Sequence, residues 1–253
     1  MLPINQVICG DCIEILKTFP DNCIDLILTD PPFMISSEIV IARSSDYKYK
    51  GKNISQDFGE WDKQWKDKKE YIKWCKKWWK ECIRILKPYK HLLFFFGKAK
   101  VSYAWDYMEE NGMIGRSPLF WIKTNPVPRA RKVDFMKSIE EVLWFTKEKV
   151  KVGYFNYKLG QHPDYFKHCI VGHTTKADGK RYHPCQKPIA LGKWIISYLS
   201  NPKDIVLDPF CGSGSFLVAA KALNRNYLGI DIDKNYTEIS ERRLRNTIVE
   251  LFN

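Results

Sequence analysis

Ile24-Asp25-Leu26-Ile27-Leu28-Thr29-Asp30-Pro31-Pro32-Phe33 is a short apolar run closed by an acid, two prolines and an aromatic ring. The run from Ile24 to Leu28 reads as a buried parallel strand. Proline at 31 and 32 fixes φ and withholds two backbone N–H groups, so neither residue can extend a central strand. The result is a stiff turn at the strand's carboxyl end that presents one carboxylate, free carbonyls and one flat ring. In open α/β sheets ligands bind at that edge.

A carboxylate beside an unpaired carbonyl offers two adjacent acceptors. They match an amino group with two N–H donors, such as the exocyclic amine of adenine or cytosine, and would aim its lone pair at an electrophile. Phe33 could stack on the base, an arrangement worth ~1–3 kcal/mol in single-strand binders. The plainer reading is a loop in which Asp30 caps a helix and Phe33 sits in the core. The tetrapeptide alone does not choose between them.

At 253 residues the chain is long enough for a substantial core, and its 45% hydrophobic and 28% charged content is that of a globular protein. No apolar run reaches membrane-spanning length and the first residues lack the parts of a signal peptide, so the cytoplasm is the expected location. The formal charge of +12 favours a polyanionic partner. Residues 61–100 hold thirteen Lys or Arg against four acids, interleaved with Trp61, Trp65, Tyr71, Trp74, Trp78 and Trp79. A solvated helix face accounts for most of those lysines. Eight cysteines are too scattered for a disulfide framework, and Cys9-x-x-Cys12 has no second pair. His162, His168, Cys169, His173, His183 and Cys185 match no familiar zinc spacing, so no metal is expected.

Along the chain, Gln6 to Gly10 is a strand candidate turning at Gly10-Asp11-Cys12 into a helix. Residues 34–60 read as a long polar loop leading away from Phe33, a place for a lid or binding segment. A helix is expected from Trp61 to Lys87, ended by Pro88, then a buried strand His91 to Gly97 and a helix Val101 to Asn111. Ser117 to Lys123 and Val142 to Thr146 read as strands flanking the basic loop Asn125 to Lys132; residues 149–182 read as irregular. Pro188 opens a helix to about Ser200. A strand Ile205-Val206-Leu207, a helix to about Leu223, a strand Tyr227 to Asp231 and a last helix, roughly Asn235 to Val249, complete an α/β alternation without internal repeats.

The turn after Leu207 is a second candidate site: Asp208-Pro209-Phe210-Cys211-Gly212-Ser213-Gly214-Ser215. Glycines let a ligand approach the backbone, and a helix N-terminus offers N–H groups to an anion. Asp231 closes the next strand, where an acid can accept hydrogen bonds from ribose hydroxyls. Gly212-x-Gly214 lacks the third glycine of the dinucleotide pattern and there is no P-loop lysine. A nucleoside carrying a carboxylate fits better than a pyrophosphate, and S-adenosylmethionine has that form. Glycine-rich turns also arise from packing alone.

In order, Gly10-Asp11-Cys12, Asp30-Pro31-Pro32-Phe33, Trp121 to Pro128, His183-Pro184-Cys185-Gln186-Lys187-Pro188, Asp208 to Gly214 and Asp231 resemble the β-class DNA amino-methyltransferases, which methylate adenine N6 or cytosine N4. The resemblance covers nearly the whole chain as a single methyltransferase domain, 1–253. It implies a Rossmann-like, seven-stranded, mostly parallel sheet with helices on both faces, in the circularly permuted order of that class. It implies that Asp30 and the Pro31 carbonyl hold the target amine, with Pro32 in the same turn, and that Phe33 stacks on the flipped base. Asp208, Pro209, Phe210, Gly212 and Gly214 would shape the cofactor loop, Ser213 and Ser215 would lie near the methionine carboxylate, and Asp231 would bind the ribose. Asp11 would lie near the cofactor's adenine, followed by Cys12, and His183, Gln186, Lys187 and Pro188 would cover the methionine end.

The implied reaction is direct methyl transfer from S-adenosylmethionine to a base taken out of duplex DNA. Asp at position 30 resembles the adenine-modifying members, whereas cytosine-N4 enzymes usually carry Ser there. Phe33 stands where Tyr is commoner. Few residues separate the Val142 strand from His183, so specificity falls to a short segment, the 34–60 loop, a partner subunit, or Arg129, Arg131 and Lys132, which are candidates for phosphate contact. A homodimer and a restriction endonuclease partner stay open. So do an RNA or free-nucleobase methyltransferase and a non-catalytic binder, although the acids at 30, 208 and 231 speak against the last.

Overall fold

The computed structural model describes residues 2–34, 64–128, 135–147, 153–172, 182 and 185–250. Its strands are β1 (Gln6–Cys9), β2 (Ile24–Thr29), β3 (Leu86–Phe95), β4 (Met113–Gly115), β5 (Leu119–Lys123), β6 (Ile139–Lys147), β7 (Tyr165–His168), β8 (Ile205–Asp208) and β9 (Asn226–Asp231). Its α-helices are α1 (Cys12–Lys17), α2 (Lys68–Ile85), α3 (Val101–Glu110), α4 (Ile189–Leu199), α5 (Ser215–Ala222) and α6 (Lys234–Arg245). Among the described residues no helix is long and apolar enough to cross a membrane.

All strands join one sheet in the order β1-β9-β8-β2-β3-β6-β5-β7, with β4 also paired to β6. Without the short β4 and β7 this is the seven-stranded frame that the resemblance implied. From β1 to β3 every pairing is parallel; β6 runs antiparallel to β3, β4 and β5. β7 is a correction to the irregular reading of 149–182: it pairs parallel to β5, but four half-exposed residues are too few for a period-2 signal.

All six residues of β2 are buried, as expected of a central parallel strand covered on both sides. Alternation in β3 divides the core. Leu92 and Phe94 face α1, α2 and α3, in one apolar cluster with Leu16, Trp78, Trp79 and Met108. Leu93 and Phe95 face α4 and α5, with Leu191, Ile195, Phe216 and Ala219. Helices therefore cover both faces.

Two boundaries differ from the sequence reading. α2 starts at Lys68 because Asp67 accepts a hydrogen bond from the Glu70 N–H (2.9 Å) while Glu70 reaches back to the Lys66 N–H (2.7 Å). Pro88 does not end α2; it lies inside β3. Between the pairs Ile24–Leu86 and Leu26–His91, β2 advances two residues and β3 five, so β3 bulges. Pro88, which has no N–H to donate, and Tyr89 at φ +61° occupy that excursion.

The chain leaves β8 toward β9 on one side and β2 toward β3 on the other. β8 and β2 are adjacent and parallel, so the turns after Thr29 and Asp208 open on one crevice at the switch point of the sheet.

Candidate active site

The Asp30 turn is clamped by its carbonyls. Tyr71 donates its hydroxyl to the Pro32 carbonyl (2.7 Å), and Lys100 Nζ donates to the Phe33 carbonyl (2.5 Å) and the Met34 carbonyl (3.3 Å). The described residues make no hydrogen bond to the Pro31 carbonyl. Asp30 Oδ1 is buried and likewise has no hydrogen-bond partner among them. The two acceptors inferred from the sequence are thus left over once the turn has been fixed.

Asp30 Oδ2 pairs with Lys187 Nζ. The same ammonium lies 3.3 Å from Glu140 Oε2, whose other oxygen pairs with Lys123 Nζ at 2.6 Å. Rings of Phe95 and Phe33 flank it, with centroids 4.6 and 5.8 Å from Nζ. Burial pushes the Asp30 carboxyl up to about 6, against the pull of Lys187. Burial opposes the Lys187 charge too, but Asp30 and Glu140 outweigh it and hold the ammonium above its ordinary range. For Glu140, burial is overcome by Lys187 and Lys123, which lower its carboxyl.

One strand over, Asp208 is almost completely buried, and its Oδ1 accepts from Thr29 Oγ1 (2.6 Å) and the Phe210 N–H (3.1 Å). Burial raises its carboxyl to about 7; Thr29 and the Phe210 N–H work against that, while Asp30 and Asp231 add to it. Asp231 accepts from the Gly212 N–H (2.7 Å) and the Asp233 N–H (2.9 Å), and burial raises it as well. These bonds lock the glycine turn to the end of β9. The Gly10 N–H donates to the Asp231 carbonyl (2.9 Å), which sets the Asp11-Cys12 turn beside Asp231.

Several sequence-derived residues are also used for structure. Asp11 caps α1, its Oδ1 accepting from the Ile13 and Glu14 N–H groups (2.8 and 3.1 Å), and Cys12 is buried below it. Phe210 packs into the α2 aromatics, its ring centroid 5.5 Å from Trp74 and 5.2 Å from Trp78; Pro209 beside it is buried. Ser213 and Ser215 are buried at the start of α5, each with its hydroxyl near Arg243 Nη1 (3.1 and 3.3 Å). Gln186 Oε1 accepts from the Tyr182 N–H (2.8 Å), and its Nε2 is buried without a partner among the described residues. Pro188 caps α4. His183, Arg129, Arg131, Lys132 and nearly all of the 34–60 loop lie outside the described residues. His162 and His168 meet the rings of Tyr198 and Phe166, and His173 is not among the described residues. A groove of about 440 Å³ beside α1 is lined, of all these site residues, by Asp11 alone, so it is not the crevice.

Gly214 has φ +76°, and a Cβ there would stand 2.5 Å from Ser240 Oγ. Gly112 also has a positive φ (+80°) but open space around it. Gly214→Ala is expected to cost about 1–3 kcal/mol and Gly112→Ala about 1, read as urea midpoints. Equal losses would mean that Gly214 is needed for its φ and not for contact with α6.

Glu140, Lys123, Thr29, Tyr71 and Arg243 were not found from sequence. Glu140 and Lys123 sit on neighbouring strands, and Lys187 arrives from a distant loop. Only the sheet order brings them together.

A family model described as DNA methylase matches residues 24–242. The Type II methyltransferase M.HinfI of Haemophilus influenzae is 37% identical over 253 residues, covering 96% of this chain and 68% of the relative. The crystal structure of the M1.HpyAVI–SAM complex matches with a TM-score of 0.68 at 28% identity, over 94% of this chain and 98% of that one. PvuII DNA methyltransferase (cytosine-N4-specific) shares the fold, with a TM-score of 0.71 at 20% identity over 94% of this chain and 85% of its own.

Proposed function

The chain belongs to this DNA methylase family, and from that premise we propose that it methylates the N6 amine of an adenine swung out of duplex DNA, with S-adenosylmethionine as donor. The observation that carries this reading is that Asp30 Oδ1 and the Pro31 carbonyl, in the turn that neighbours the Asp208 loop, take no hydrogen bond from the described residues.

The residues suit that donor. S-adenosylmethionine carries a sulfonium and a carboxylate. Asp30, Asp208 and Asp231 gather in a chain whose net charge is +12, and a cation among them would relieve the burial that raises all three. Gln186 Nε2, without a partner among the described residues, is a buried donor suited to a carboxylate. Asp231 would hold the ribose, and Ser213 and Ser215 at the start of α5 the methionine end. When bound, the donor supplies an electrophilic methyl group.

The chain's own residues do the rest. Asp30 Oδ1 and the Pro31 carbonyl accept the two amine protons and turn the nitrogen lone pair toward the Asp208 loop. Phe33 stacks on the base, and the clamps from Tyr71 and Lys100 keep these acceptors from relaxing, so orientation is fixed before reaction. The amine sheds a proton as it is alkylated, and Asp30 Oδ1 is the acceptor already bonded to it. The net positive charge suits the phosphates of the duplex.

Cytosine N4 is the second reading, favoured by the fold shared with the cytosine-N4-specific PvuII enzyme. Methylated duplex DNA digested to nucleosides and resolved by mass spectrometry is expected to contain N6-methyldeoxyadenosine, with RNA unmodified. N4-methyldeoxycytidine as the only product would replace the first reading by the second.

A further inference from the structure

Lys187 stands between two carboxylates that do different things. Asp30 must face the amine; Glu140, on β6, is in no position assigned to substrate or cofactor. Yet Glu140 is held firmly. Its Oε1 is tied to Lys123 on β5, and its Oε2, shielded from solvent, makes no hydrogen bond of good geometry among the described residues while lying 3.3 Å from Lys187 Nζ. It is an acceptor kept ready at the edge of bonding distance. A displacement on the order of 1 Å would carry the ammonium from one carboxylate to the other.

A reason for the exchange lies in the reaction. The target amine is neutral on entry and gains positive charge as it is alkylated. An ammonium bonded to Asp30 at that moment offsets the carboxylate's field and repels the growing charge, and in a buried site both effects are large. We propose that Glu140 is a positioning residue: it draws Lys187 Nζ off Asp30 as the target nitrogen becomes positive, leaving the Asp30 carboxylate to meet that charge unshared. Two lysines and two carboxylates keep the group neutral throughout, so the shift requires no proton transfer. This inference rests on the reading that Asp30 holds the amine.

The role predicts a kinetic signature that a packing role would not give. Glu140→Gln keeps the shape and the bond to Lys123 but weakens the second seat. Binding of the neutral amine should hardly change. Single-turnover methyl transfer at saturating DNA and S-adenosylmethionine is expected to fall about tenfold, or ~1.4 kcal/mol. KM for DNA and the dissociation constant for S-adenosylmethionine should stay within twofold of the parent; the melting temperature is expected to fall, because Gln leaves Lys187 and Lys123 one buried counter-charge short, so rates are compared at a temperature where both proteins are folded. Because Glu140 acts through Lys187, the loss should vanish when Glu140→Gln is added to Lys187→Met, or to Lys187→Gln if the methionine variant does not fold. An equal tenfold loss in both backgrounds, a rate within twofold of the parent, or a loss confined to KM overturns the proposal. Asp30→Ala, assayed alongside, separates the failures. If that variant is fully active the reading of Asp30 falls; if it is inactive and the Glu140 effect ignores Lys187, only the exchange falls.

Discussion

Asp30→Ala is expected to lower the methyl-transfer rate by roughly 10³-fold or more, ~4 kcal/mol of transition-state stabilisation, while leaving the fold and donor binding intact. On the proposed reading the side chain supplies one of two acceptors for the amine and a charge aimed at it. Alanine leaves the Pro31 carbonyl, which can orient one N–H but can neither take up the proton nor oppose positive charge. Stability is read separately, because two effects oppose: Lys187 loses the carboxylate that does most to hold its buried charge, while the protein sheds an acid that burial disfavours. Lys187 keeps Glu140 as a partner, and a carboxyl that burial has raised to about 6 is a burden on the folded state at neutral pH. Asp30→Asn is a finer probe: it keeps one acceptor but points N–H donors at the amine, so it should lose nearly as much. Rates are compared by radiolabelled methyl transfer under single-turnover conditions, with donor binding by calorimetry as the control. A variant with a tenth of the parental rate would show that the amine is held elsewhere.

The two candidate turns, at Asp30 and at Asp208, stood out in the sequence because each is a strand closed by an acid and a backbone anomaly. Two prolines mark one and two glycines the other, and such breaks are local. The adjacency of β2 and β8 was legible only through resemblance, since Ile205 lies 176 positions after Thr29. What stayed hidden was of two kinds. β4 and β7, with three and four residues, are too short for periodicity, and Pro88 looked like a helix stop because a bulge in a central strand leaves no trace in composition. The Lys187–Glu140–Lys123 chain was hidden for a deeper reason. A charged residue in a strand reads as a solvent-facing position, and only three-dimensional placement reveals a buried pair. Residues such as Asp11, Phe210 and Gly214 show the converse, in that a residue singled out for a ligand can be fully engaged as a cap, a core ring or a close contact.

Asp208→Asn is expected to stabilise the ligand-free protein, and by an amount that depends on pH. Folding raises this carboxyl from its ordinary 3.8 to about 7, chiefly through burial. The folded state therefore binds the proton more tightly than the unfolded chain. Below about pH 4 both states are protonated and the residue costs nothing extra. As pH rises from 4 to 7 the unfolded chain ionises freely while the folded one resists, so stability declines, and above 7 the full cost applies. At about 1.4 kcal/mol per unit, that cost is on the order of 4 kcal/mol. Asparagine keeps Oδ1 for the Thr29 hydroxyl and the Phe210 N–H and removes the ionisation. Thermal melts at pH 8 should rise by roughly 5–10 °C, the gain shrinking to about nothing by pH 4. The same substitution should weaken binding of S-adenosylmethionine, because the charge removed is one that a sulfonium would favour. Protein that melts at the parental temperature at pH 8, or gains equally at pH 4 and 8, would show that Asp208 is not a buried charge held against its own preference, and the crevice would lose the electrostatic case for a cationic donor.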